Sequence, residues 1–334
     1  MFGLVFFNFI LKVTDIMKKS LKFVAILILI ISLVMGNINA VENENYVKIP
    51  RFFNAHVNDI ETLLTDNGLK CNIEYDYNHN SEGIVYSIAY QGYSDEEYFN
   101  VVPNSTMTLK VSLGKYYPKN ANADSDKVIY LTFDDGPTKA NTDRLVEILG
   151  KYEIKATFFL VGTPVQYYRG KVKSVFDAGH AIGCHSVTHK YNDIYRTANA
   201  FIEDIRLWES IVYDITGELD YKLYRFPGGS PRARYNIDTY NGILDKLHEA
   251  DYYAFDWTMA NNDVQSKGSL AYAKNSFLSQ LDKMEKSGST VPKIVLMHET
   301  YNCTVDMLEW MIDLLIERGY RFDTLDNLDG NWFM

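Results

Sequence analysis

From Lys127 onward short apolar strands alternate with amphipathic helices, and this constrains the fold more than any other feature of the sequence. Residues 128–133 (VIYLTF) read as a buried strand and 156–161 (ATFFLV) as the next. Between them, 142–152 reads as a helix with Leu145, Ile148 and Leu149 on its inner face. Helical patterns return at 172–178, 198–216 and 237–250, then a strand at 294–297, a helix at 305–318 and a short strand at 320–322. Such alternation predicts an α/β fold, most economically a (β/α) barrel or part of one. The loops after the strands form the active face of a barrel, so polar residues there are the first to examine.

Residues 46–115 have a different pattern. Phe53, Val57, Ile60, Leu63 and Leu64 share one helical face, and the Asn67-Gly68 pair stops that helix. Strand patterns follow at 69–75, 83–90 and 106–112, which predicts one helix on a small sheet. Residues 116–126 are polar, contain Pro118 and lack periodicity, so they read as a linker. The 334 residues thus divide into a small α+β domain (41–115), a linker (116–126) and the α/β domain (127–334).

The extreme N-terminus reads as an export signal. A basic stretch (17–22, MKKSLK) leads into an apolar run at 23–36, then Ala40 and a polar segment. That order predicts a signal peptide over 1–40, cleaved after Ala40, with an uncleaved anchor through residues 17–36 as the alternative. Either way the protein is expected outside the cytoplasm, secreted or at the cell surface.

Charge and cysteine content narrow the function. Lys and Arg number 33 against 43 Asp and Glu, a net charge of -10, the opposite sign to a nucleic-acid-binding protein. Three scattered cysteines (Cys71, Cys184 and Cys303) make neither a disulfide scaffold nor a Cys-type zinc finger.

The strand ends carry chemistry. Asp134 and Asp135 directly follow the first buried strand, in residues 132–137 (TFDDGP). By itself that sequence is a good turn. His185 and His189, in 185–189 (HSVTH), stand at i and i+4, and a local helix would point both rings the same way, as divalent-metal sites require. Two histidines and one aspartate make a metal site with positions left for water and substrate, and the second aspartate is then free to accept a proton. Arg225 opens 225–230 (RFPGGS), Asp256 and Asp263 flank Trp257, and His298 follows the strand 294–297. Each alone has a structural reading; five polar elements at successive strand ends do not.

These motifs resemble, in order, those of the polysaccharide deacetylases, the carbohydrate esterase family four or nodulation-factor deacetylase homology domain. The match covers 126–325: 132–137, 185–189, 225–229, the stretch ending at Asp263, and 294–298. The resemblance implies a distorted (β/α) barrel and a metal-dependent N-deacetylase. It implies Asp135, His185 and His189 as ligands of one divalent ion, usually zinc, with cobalt as a substitute. It further implies Asp134 as general base, held by Arg225. Gly228 would donate its N–H to the oxyanion, His298 would act as general acid held by Asp263, and Leu296 would line the acetyl pocket. Val264 stands where many members carry Trp, leaving that pocket open or closed by Trp257. Cys184 replaces a common Asn.

The small domain in turn resembles a PASTA module in 47–50 (VKIP), 67–69 (NGL), 83–85 (GIV) and 111–114 (VSLG), without the usual Gln-Ser-Pro. Some such modules bind peptidoglycan and many only space other domains. Together the two resemblances point to a monomeric deacetylase of N-acetylglucosamine in peptidoglycan. N-acetylmuramic acid, a chitin-like oligomer or an O-acetylated polysaccharide are the alternative substrates, and a non-enzymic wall-binding protein is the other class.

Overall fold

The computed structural model describes residues 46–52, 55–77, 80–94, 97–119, 121–219, 222–328 and 330. The export signal, and Phe53 of the first helix, lie outside them. The chain divides into two compact units between Tyr116 and Tyr117.

The first unit has strands β1 (Val47–Pro50), β2 (Lys70–Asp76), β3 (Val85–Ala89), β4 (Gly92–Ser94), β5 (Tyr98–Val101) and β6 (Thr106–Ser112). Its helix, Val57–Asp66, buries Val57, Ile60 and Leu64 and ends before Gly68, whose φ of 71° is the left-handed stop expected from the sequence. β2, β6 and β3 form the expected three-stranded sheet. A second sheet, in the order β1-β5-β4, was not anticipated, because its strands have only three or four residues each. Ile49, Leu64, Val101, Leu109 and Val111 meet in this unit's core.

The second unit is an eight-stranded sheet with parallel pairings. Its strands are β7 (Val128–Gly136), β8 (Thr157–Leu160), β9 (Ala181–Cys184), β10 (Leu223–Tyr224), β11 (Tyr253–Ala254), β12 (Met259–Ala260), β13 (Lys293–His298) and β14 (Arg321–Asp323). They run in the order β11-β10-β9-β8-β7-β13-β12, with β14 paired to the start of β7. β11 and β12 are the two ends, so this is the distorted barrel expected. The four-residue β9 and the two-residue β10, β11 and β12 were too short to read from periodicity.

Side-chain alternation gives the sheet two faces. Ile129, Leu131 and Phe133 of β7, with Val295 and Met297 of β13, join the large cluster shared with the helices. The intervening Tyr130 and Ile294 join a separate cluster with Phe159, Leu223 and Phe255. Thr132, Asp134, Leu296 and His298 continue that second row toward the C-terminal ends of the strands.

Helices cover the other face. Ala198–Thr216, found where the sequence places it, buries Phe201, Ile202, Ile205, Trp208 and Val212, each contributing about 1.5–3 kcal/mol. Thr197 caps its first turn, Gly217 ends it, and Trp208 Nε1 donates to Leu160 O at 2.7 Å. The helix Leu270–Lys286 was missed; it buries only Ala273, Phe277 and Leu281 in 17 residues, a narrow stripe.

Several residues of the expected linker pack onto the second unit. Tyr117 meets Tyr152 edge-on at 4.9 Å. Asn122 Nδ2 donates to Ile316 O and Tyr320 O, and Ser125 Oγ to Gly319 O. They serve carbonyls around the end of the helix Asn302–Glu317, which has no intrahelical donors for its last turn. Residues 117–334 expressed alone are therefore expected to fold with an unchanged thermal midpoint. A midpoint lower by more than about 4 °C would mean that the first unit supplies about 1 kcal/mol or more of their stability.

Candidate active site

In a regular strand Asp134 and Asp135 would point to opposite faces. Here the β7–β8 register shifts between Asp134 and Gly136, and Asp135 has a φ of 69°. This irregularity turns the second carboxylate back toward the strand end, at the cost of a left-handed conformation that few non-glycine residues adopt.

The histidine pair also differs from the sequence expectation. His185 and His189 lie in a loop after β9, not in a helix. Positive φ at Ser186 (65°) and His189 (59°) folds the loop back, and His189 N–H donates to Ser186 Oγ at 2.9 Å. The two rings lie 5.0 Å apart.

Asp135 Oδ1 is 3.5 Å from His185 Nε2 and 3.3 Å from His189 Nε2. Four ligands at tetrahedral bonds of about 2.0–2.1 Å would stand about 3.3 Å apart, so these donors fit one zinc-sized ion. His185 Nδ1 lies 2.9 Å from the carbonyl of Arg225. A carbonyl only accepts, so that nitrogen carries the proton and Nε2 keeps its lone pair for a metal. Burial lowers the His185 pKa, against the pull of Asp134 and Asp135, which favours the neutral ring that ligation needs.

Asp134 is buried and is held by Arg225, itself fully buried. Arg225 Nη1 donates to Asp134 Oδ1 at 2.9 Å and to Thr132 Oγ1 at 2.5 Å; Nε and Nη2 donate to the carbonyls of Phe255 and Asp256. The other carboxylate oxygen, Oδ2, stands 3.8 Å from His185 Nε2, on the side of the Asp135, His185 and His189 group.

His298 sits opposite Asp134 in the β13–β7 register. Its Nδ1 is 2.8 Å from Asp263 Oδ1, and its backbone N–H donates to Asp263 Oδ2 at 2.6 Å. Thr304 Oγ1 donates to the same Oδ2 at 2.7 Å. Burial disfavours the charged imidazole, but the hydrogen bond and charge of Asp263, with Asp134 and Asp135 beyond, hold its pKa up at about 9. The Asp263 carboxyl is burdened by burial too, yet His298 brings it below its ordinary value.

Gly228 and Gly229 turn the chain with φ of 75° and 80°. The turn is fastened by Asp256, whose carboxylate accepts from Ser230 N–H and Oγ at 2.9 and 2.5 Å, so Asp256 is a support. Leu296 is buried and pairs in register with Thr132. Trp257, half-buried, is so close to Gly229 that a Cβ there would lie 3.0 Å from its ring, while Val264 is exposed. Cys184 belongs to the large core cluster, and burial raises its thiol pKa. It acts as a small core residue.

Three neighbours were missed from sequence. Glu299 lies fully buried beneath the Asp135 turn, and a Cβ on Gly136 would come within 2.3 Å of its carboxyl carbon. Thr142 Oγ1 donates to Glu299 Oε1 at 2.7 Å, and burial pushes the carboxyl up to about 7. Tyr191 and Arg232 stack beside His189. The only signals were an acid directly after His298 and an aromatic two residues after His189.

The family model described as polysaccharide deacetylase matches residues 121–255. The Bacillus subtilis (strain 168) protein YheN is 35% identical over 204 residues, 60% of this chain and 68% of that protein. A peptidoglycan-N-acetylglucosamine deacetylase of Bacillus cereus is 30% identical over 228 residues, 67% of this chain and 78% of that one. The chain belongs to the polysaccharide deacetylase family. The same fold is seen in the catalytic domain of peptidoglycan N-acetylglucosamine deacetylase from Eubacterium rectale. That structure is 29% identical with a TM-score of 0.56, and the match covers 63% of this chain and 93% of that one. Asp263 and His298 lie past the family-model match, and the structure ties them to it through the β13–β7 register.

A raised pKa means that the His298 proton is held until pH passes the folded value. In the metal-free protein an NMR titration of His298 is expected to show a midpoint near 9, and Asp263→Asn to move it down toward about 6.5. The stability from this pair is fully present between about pH 4 and 6.5; it is lost as pH rises through 9 and, because the Asp263 pKa is lowered, also as pH falls below about 4. An unmoved midpoint in Asp263→Asn would show that the carboxylate does not charge the ring.

Proposed function

We propose that this polysaccharide deacetylase removes the acetyl group of N-acetylglucosamine residues in peptidoglycan, with one divalent ion, zinc, held by Asp135, His185 and His189. The observation that carries the reading is the three-donor group with a second carboxylate oxygen, Asp134 Oδ2, turned toward it. The Bacillus cereus and Eubacterium rectale proteins support the substrate.

An amide has a poor electrophile and a poor leaving group, and the residues address both. A divalent ion in the Asp-His-His group would polarise the acetyl carbonyl and acidify water toward a pKa of about 7. Asp134, fixed by Arg225 through Oδ1, accepts the proton of the attacking water at Oδ2. The Gly228 N–H, which has no acceptor among the described residues, donates to the developing oxyanion. His298, with Nδ1 on Asp263, presents Nε2–H to the leaving nitrogen, which must be protonated to depart. Leu296 and Trp257 give the acetyl methyl an apolar wall.

The signal-like residues 1–40 support a secreted or surface-anchored enzyme, acting as a monomer. The PASTA-like first unit then spaces the catalytic unit from the membrane or touches the wall.

Incubation with purified peptidoglycan, followed by mass analysis of the muropeptides, is expected to show acetyl loss from N-acetylglucosamine, abolished by a chelator and restored by zinc. Acetyl loss from N-acetylmuramic acid would reassign the sugar. No acetate from any acetylated glycan would leave a wall-binding protein.

The two carboxylates should separate by metal dependence. Asp134→Asn is nearly isosteric and is expected to keep zinc while kcat falls about 10²–10⁴-fold. Asp135→Asn should weaken zinc binding first and recover part of its activity at high zinc. Zinc rescue of Asp134→Asn alone would mean that the roles are reversed.

A further inference from the structure

Beside His189, residues of two segments, among them Tyr191, Tyr195, Arg196, Arg232 and Tyr235, line a cleft of about 410 Å³ that the chemistry above does not use. It adjoins the catalytic group. The Tyr191 ring lies 5.6 Å from that of His189, and a Cβ on Gly228 would meet Tyr191 Oη at 3.1 Å and Arg232 Cγ at 3.2 Å. Tyr191 and Tyr195 stack nearly parallel, 6.2 Å apart, and Tyr195 Oη is tied to Pro227 O at 2.9 Å. The Arg232 guanidinium lies over Tyr191 at 4.7 Å, and Arg196 lines the same cleft.

The charge of this cleft is at odds with the rest of the chain. The protein is acidic overall, and Arg144, Arg169, Arg225, Arg318 and Arg321 each hold an Asp or Glu. Arg196 and Arg232 hold none among the described residues, and no lining residue described is acidic. Two guanidinium groups in one recess, neither paired with a carboxylate among the described residues, favour a positive potential beside the reacting group. Guanidinium forks match carboxylates, and tyrosine faces suit the apolar face of a sugar ring.

We propose that this cleft is a subsite for a carboxylate carried on the sugar next to the reacting N-acetyl sugar, by its lactyl or peptide substituent. This rests on the peptidoglycan reading above and deepens it, because a chitin-like oligomer offers no such group.

The test compares kcat/KM on a muropeptide oligosaccharide and on a chito-oligosaccharide of equal sugar count. Arg196→Gln, Arg232→Gln and the double variant are measured against wild type; both side chains are exposed, so folding should be preserved, which thermal midpoints verify. The ratio of the two kcat/KM values is expected to fall about tenfold in the double variant, through KM. Amidating the substrate carboxylates should lower the wild-type ratio equally and leave the double variant indifferent. A ratio moved by neither change overturns the subsite. Calorimetric titration with the same muropeptide separates the two readings. Arginine-dependent binding without acetate release would keep the subsite and remove the proposed reaction, whereas acetate release with arginine-independent binding would do the reverse.

Discussion

The buried ion pair between Arg225 and Asp134 is the interaction on which the rest of the catalytic unit depends. Arg225 is fully buried, and a guanidinium in the interior costs several kcal/mol unless its donors are satisfied. Here they are met by one carboxylate, one hydroxyl and two carbonyls, from β7 and the end of β11. The plane of the group also lies over Phe159 of β8 at 4.2 Å. One side chain thus links β7, β8, β10 and β11 across the interior. It holds Asp134 by one oxygen only, which leaves the other facing the histidines. Removing the arginine would strand a buried carboxylate, a change that typically costs about 3–5 kcal/mol.

Parallel register does the second part of the positioning. His298 pairs with Asp134, and Leu296 with Thr132, so a carboxylate and an imidazole stand on neighbouring strands at the same level. The segment just beyond is fastened as well. Glu299 N–H donates to Asp134 O at 3.2 Å, and Asn141 Nδ2 donates to Glu299 O at 2.8 Å. The Glu299 carboxyl fills the space that Gly136 leaves by having no side chain. A larger residue at 136 would displace that carboxyl and disturb the Asp135 turn.

Environment separates the histidines of this unit more than sequence does. His180, buried against Phe158, accepts from Ala156 N–H through Nδ1, and burial with Lys155 nearby lowers its pKa to about 3. It is a neutral core residue. His185 is equally buried but gives Nδ1 to a carbonyl and turns Nε2 to a carboxylate. His298 is paired with Asp263, whose hydrogen bond and charge push its pKa up to about 9. The partner on Nδ1 decides each case: an N–H, a carbonyl or a carboxylate.

The sequence by itself determined the barrel class, because apolar strands covered by helices have few other packings, and it placed the residues of the candidate site at strand ends. The family resemblance then distributed roles among them, which spacing alone could not do for two adjacent aspartates. Tertiary structure decided how they meet. His185 and His189 converge through two left-handed residues in a loop, whereas i,i+4 spacing had suggested a helix. The bulge that aims Asp135, the burial of Glu299 beneath it and the arginine cleft beside Tyr191 likewise came only from the tertiary structure. Periodicity reports which face of an element is apolar, and is silent where a backbone irregularity turns one residue or where segments distant in sequence build a surface between them.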